Sequence, residues 1–166
     1  MSETLKTKIS QIADLINKLY EYYVPPFTIN TVELTENEVQ NIIKDLKAKG
    51  GLRGWLRLDG IYYTTDLETF KRIIEWDWTD TRKYLDDVFD CDKFAMYFKS
   101  RMAIDFHINA IGIVLDNSSE HAYNLVILKD AQGVKYYLYE PQKDSIFTYE
   151  NRDIRFYRMA YYYLLM

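Results

Sequence analysis

The period of the apolar side chains changes along this chain, and that change constrains the fold more than any other feature. In most of the first 101 residues they recur at three- and four-residue steps. From residue 110 onward they come in short runs separated by turn residues. Helices first and a run of antiparallel strands later is the α+β pattern.

The helical part has clear punctuation. Ile9, Ile12, Ala13, Ile16, Leu19, Tyr20 and Tyr23 line one face of a first helix, which Pro25-Pro26 stops. Thr35 with Glu38 three residues on is a capping box, and it opens a second helix with Val39, Ile42, Ile43 and Leu46 inward. Gly50-Gly51 ends that helix. Residues 1–50 thus read as an N-terminal helical region, a hairpin that packs or binds a partner through one apolar stripe. Residues 52–64 read as a β-hairpin turning at Asp59-Gly60. Thr65 or Asp66 caps a helix through Leu67, Phe70, Ile73 and Ile74. A short helix is expected from about Thr79 to Val88, with Tyr84, Leu85 and Val88 inward. The next helix covers 91–101, with Phe94, Ala95 and Phe98 on one face. Strands are expected at 110–115, 122–128, 134–139, 145–149 and 154–163.

With 166 residues, 48% of them apolar, the chain can bury one core, so residues 51–166 are expected to form the main domain and 1–166 one compact unit. A net charge of −4 with no basic stripe argues against nucleic acid. The single cysteine rules out an internal disulfide and argues against a cysteine-based zinc site. The sequence has no signal-type leader and no stretch of the roughly 20 apolar residues that span a bilayer, so a cytoplasmic location is expected. Sixteen tyrosines suit a core with a partly wet rim.

Three residues carry the candidate chemistry. Cys91 opens a helix, where the positive end of the dipole favours thiolate and free backbone N–H groups can bind an oxyanion. His121 opens a strand and can take the thiol proton. Glu140 ends the following strand. A hairpin loop of about five residues would pair 128 with 134 and 122 with 140, which sets Glu140 beside the start of the His121 strand. A carboxylate there fixes the imidazole tautomer and favours imidazolium. Asn109, Asn124 and Gln142 are candidate oxyanion or substrate contacts. His107 is the rival base, with Asp105 its one acid at matching register. Asp90 and Asp92 suit a helix cap and first turn.

The motifs DCDKFA at 90–95, HAYN at 121–124 and EPQ at 140–142 resemble the cysteine-peptidase domain attached to fungal ricin-type agglutinins and related phage and bacterial proteins. The resemblance runs from about Tyr84 to Gln142. It implies a papain-like fold, with the nucleophile helix packed on an antiparallel sheet. It also implies a cysteine peptidase whose nucleophile, histidine and acid fall on Cys91, His121 and Glu140, with a peptide or protein substrate. No cofactor is required for that chemistry. A calcium contact at Asp90 or Asp92 is implied by the family, and Lys93, where a second acid is expected, weakens it. An amidase or acyltransferase would use the same three side chains. The alternative is a catalytically inactive papain-like interaction protein of viral or mobile-element origin.

Overall fold

The computed structural model describes residues 3–166, the side chains of 21–23 excepted. Among the described residues there are four helices: α1 (Glu3–Tyr23), α2 (Glu36–Ala48), α3 (Leu67–Trp76) and α4 (Cys91–Phe106). Eight strands follow or separate them: β1 (Val32–Leu34), β2 (Leu52–Leu56), β3 (Tyr62–Thr64), β4 (Ile111–Asp116), β5 (His121–Asp130), β6 (Gly133–Glu140), β7 (Ser145–Phe147) and β8 (Tyr162–Leu165). The class is α+β.

Six strands form one sheet in the order β2-β8-β4-β5-β6-β7, and β1 pairs with β3 in a small second sheet. The large sheet is antiparallel from β8 to β7, but β2 runs parallel to β8. The expected hairpin over 52–64 therefore does not form. Its two strands go to different sheets, because the chain end returns as β8 to take β2 and an upstream segment takes β3.

The two faces of the sheet each carry a core. On one face α2 contributes Val39, Ile42, Ile43 and Leu46 to a cluster with Tyr123, Leu125, Ile127, Leu138 and Leu164. On the other, α3 and α4 pack Phe70, Ile73, Phe98, Met102 and Phe106 against Ile111, Val126, Leu128 and Tyr139. Odd residues of β5 thus face α2 and even ones face α4, the period-two alternation of a strand buried on both sides. The capping box predicted at Thr35 is formed, with Glu38 N–H donating to Thr35 Oγ1 and Thr35 N–H donating to Glu38 Oε2 at 2.7 Å. Asp66 caps α3 by accepting from Thr69 N–H at 2.9 Å.

Other expectations are corrected. Residues 79–88 form turns closed by a bridge between Leu85 and Phe89, and Tyr84, Leu85 and Val88 are exposed. Asp87 there adopts a positive φ of 59°, which a helix does not allow. Of the strand expected over 154–163 only Tyr162 and Tyr163 are extended, as the start of β8, which runs on to Leu165, and the turns before it include Met159 with a positive φ. Finally, α1 does not bury its apolar stripe against α2. Ile9, Ile12, Ile16, Leu19 and Tyr20 are at least half exposed, and the side chain of Tyr23 lies outside the described residues.

Candidate active site

Cys91, His121 and Glu140 meet at one end of the sheet. Cys91 is the first residue of α4, which lies across β4 and β5, so the helix N-terminus ends over the start of β5, where His121 stands. The Cys91 thiol faces the His121 ring and the backbone N–H of Ala122, and both lower its pKa. His121 Nε2 lies 2.6 Å from Glu140 Oε2. Glu140 is only 2% exposed, and its carboxylate is held from two further directions. Gln142 N–H donates to Oε1 at 3.2 Å, and the Tyr157 hydroxyl donates to Oε2 at 3.1 Å.

The pairing of β5 with β6 explains why His121 and Glu140 meet. The hairpin turns tightly at Ala131-Gln132, so Asp130 faces Gly133 and the ladder runs to Asn124 opposite Tyr139. Continued by one pair, it sets Glu140 opposite Tyr123. His121, two residues further on, shares the face of Tyr123 and is the diagonal neighbour of Glu140, a distance long side chains span.

The electrostatics form a linked pair. The hydrogen bond from His121 is the largest influence on Cys91 and lowers its pKa, against burial and the Asp90 carboxylate, which raise it. Burial disfavours charge on His121, but its hydrogen bonds to Cys91 and Glu140 outweigh that and raise its pKa to about 9. The arrangement favours thiolate beside imidazolium.

Around this centre the structure separates the remaining candidates. Gln142 lines a cleft beside the His121-Glu140 pair, with Ser119, Lys143 and Phe156, and Cys91 is not part of that lining. Asn109 is engaged elsewhere: its Oδ1 accepts from Tyr63 N–H at 2.6 Å and its Nδ2 donates to Ile61 O at 2.9 Å, tying the chain to β3. Asn124 is fully buried and donates to Ala95 O and Gly112 O, which fastens α4 to β4. Neither is a cleft residue. His107 is the C-cap of α4, about 24 Å along the helix from Cys91 at 1.5 Å per residue, and Asp105 is paired with Arg101. Asp90 occupies the N-cap position without a side-chain cap bond. Lys93 Nζ instead sits 3.4 Å from Asp90 and 2.8 Å from Asp92, a cation supplied by the chain itself. Among the described residues no group of three or more His, Cys, Asp or Glu side chains is arranged to hold a metal.

Tyr157 and the Ala122 amide were not legible as site groups in the sequence. Tyr157 comes 17 residues after Glu140 in a segment that reads as strand, and no local motif marks it.

Comparison with known proteins agrees with the fold. A family model described as the ricin-type beta-trefoil lectin C-terminal domain matches residues 35–157, well beyond the stretch from Tyr84 to Gln142 that its motifs mark. A solved structure titled as a PSL1a-E64 complex superposes with a TM-score of 0.58 at 20% identity, over 81% of this chain and 51% of that one. The Polyporus squamosus lectin bound to the epitope Neu5Aca2-6Galb1-4GlcNAc superposes with a TM-score of 0.56 at 20% identity, over 81% and 49%. The chain spans about half the length of these two structures. No curated protein matches the sequence, and no described helix is long and apolar enough to cross a membrane.

Proposed function

The chain belongs to the family of ricin-type lectin C-terminal domains, and from that membership and its Cys-His-Glu cluster we propose that it is a papain-like cysteine hydrolase cleaving amide bonds in a peptide or protein. The observation that carries the reading is the continuous chain of contacts from Cys91 through His121 to Glu140.

In this reading the Cys91 thiolate attacks the carbonyl carbon, and the carbonyl π electrons move to oxygen. The N–H groups of the first turn of α4 face the resulting oxyanion. As the oxyanion collapses, the C–N bond breaks and His121 gives its proton to the leaving amine. A water then attacks the thioester, His121 takes a proton from it, and the acid and the thiolate are released. Glu140 keeps the ring oriented and stabilises its charge throughout. No step calls for a metal.

The structure titled with E64 supplies a probe. Because Cys91 is the only thiol, a thiol-directed epoxide of that kind should add one equivalent to the wild type and none to Cys91→Ala. Peptide-library hydrolysis, lost in Cys91→Ala and in His121→Ala, tests turnover. No addition and no cleavage at neutral pH would defeat the proposal. A second reading, an interaction module without turnover, is favoured by the open apolar face of α1. It predicts an unreactive thiol.

A further inference from the structure

We propose that α1 is a dimerisation helix, forming a parallel two-stranded coiled coil with α1 of a second copy of this chain. Four residues define its seam. Ile9, Ile12, Ile16 and Leu19 follow steps of three, four and three, the alternation of a and d positions in a heptad. Their exposures are 50%, 56%, 58% and 59%, so all four are open to a partner. Leu5 and Tyr23 continue the spacing at either end in the sequence.

The same register points to a copy of itself as the occupant. In a parallel pair a g residue of one helix lies beside the e residue five positions on in the other. Here Leu15 falls at g and Tyr20 at e, and these two are also exposed, at 61% and 65%. The apolar flank of one helix therefore meets the matching flank of its copy. The helix carries three acidic residues (Glu3, Asp14, Glu21) and three basic ones (Lys6, Lys8, Lys18), so no net charge opposes self-association. Ile at both a positions with Leu5 and Leu19 at two of the three d positions suits two strands, and only Ile12 at the remaining d position departs from that pattern. The exposed side chains of this face offer on the order of 600 Å² per copy, close to the roughly 800 Å² each partner gives in a standard interface.

Sedimentation equilibrium on the full chain tests the idea. The wild type should have twice the 19.9 kDa monomer mass. Ile12→Asp combined with Ile16→Asp should raise the dissociation constant by roughly a hundredfold or more, since two carboxylates per chain would be buried in the seam. Gln11→Asp, on the outer face, should leave the dimer intact. Thermal unfolding monitored by near-ultraviolet circular dichroism should be the same in both variants as in the wild type, because no core residue is altered. A monomeric wild type, or a seam variant that remains dimeric, overturns the proposal. Neither result bears on the Cys91 chemistry.

Discussion

The hydroxyl of Tyr157 donates to Glu140 Oε2, the same oxygen that stands 2.6 Å from His121 Nε2. Glu140 thus serves two partners through one atom, while its other oxygen receives the Gln142 N–H. The Tyr157 ring also packs 5.6 Å from the His121 ring and 4.7 Å from Phe147, and it is 8% exposed. Removing the hydroxyl therefore frees the carboxylate to rotate without opening a cavity.

Tyr157→Phe should slow Cys91 alkylation and peptide turnover by about fivefold, the equivalent of about 1 kcal/mol for one hydrogen bond. Tyr157→Ala should cost more, because it also removes the ring that backs the imidazole. Alkylation rates at neutral pH, with near-ultraviolet circular dichroism as the check on folding, measure both. Equal rates in wild type and Tyr157→Phe would assign the tyrosine to packing alone.

The linked shifts at Cys91 and His121 set a pH window. With the thiol lowered, alkylation of the wild type should stay fast well below the value of about 8.5 for a free thiol. Turnover also needs the imidazolium proton, so it should decline as the pH rises through about 9, where His121 loses that proton. Hydrolysis against pH should therefore be bell-shaped while alkylation rises to a plateau. In His121→Ala the alkylation curve should move up to the free-thiol value. A wild-type curve already lying there would remove the basis for an activated cysteine.

How much of this was legible in the sequence depends on the range of the signal. Thr35, Glu38 and Asp66 are local caps, and they form as their residue types dictate. Cys91 at a helix start and His121 at a strand start were readable for the same reason. The pairing of His121 with Glu140 was readable as a neighbourhood but not as a register. A five-residue loop would set Glu140 opposite Ala122, on the face away from His121. The actual two-residue turn shifts the ladder by one and brings both side chains to one face. The parallel return of β8 beside β2 and the approach of Tyr157 to Glu140 are long-range, and no residue near either carries a mark of them.

Gly51 holds that parallel return in place. Its φ is +84°, and a Cβ there would lie 2.0 Å from the carbonyl oxygen of Met159. Its own carbonyl accepts from Tyr162 N–H at 2.9 Å, the first bond between the two segments. Gly51→Ala should destabilise the fold by about 3 kcal/mol, since backbone strain and an overpacked contact act together. Gly50→Ala next door has no atom within 4 Å of its Cβ and only the strain of a positive φ, so it should cost about 1 kcal/mol. Urea denaturation of the two variants separates the effects, and equal midpoints would show that Met159 yields without cost.

Asp144 should limit stability at neutral pH. Burial is the main cause that lifts its pKa, to about 6, with Asp80 and Asp77 adding repulsion and the Tyr139 hydroxyl, 2.6 Å away, opposing the rise. A carboxyl whose folded pKa lies above its unfolded value of 3.8 binds more protons when folded. Stability from this group is thus fully present below about pH 4 and is lost as the pH rises through 6. Asp144→Asn keeps an oxygen for Tyr139 and removes the charge. Because the side chain is partly open to solvent, the full shift is discounted to a gain of about 1 kcal/mol at pH 7. The gain should shrink to about a fifth by pH 4 and vanish only below about pH 3, where the wild-type carboxyl is protonated in both states. Urea midpoints for the two proteins at pH 4, 5, 6 and 7 follow this directly, and a gain that stays constant across the series would place its origin outside the titration of Asp144.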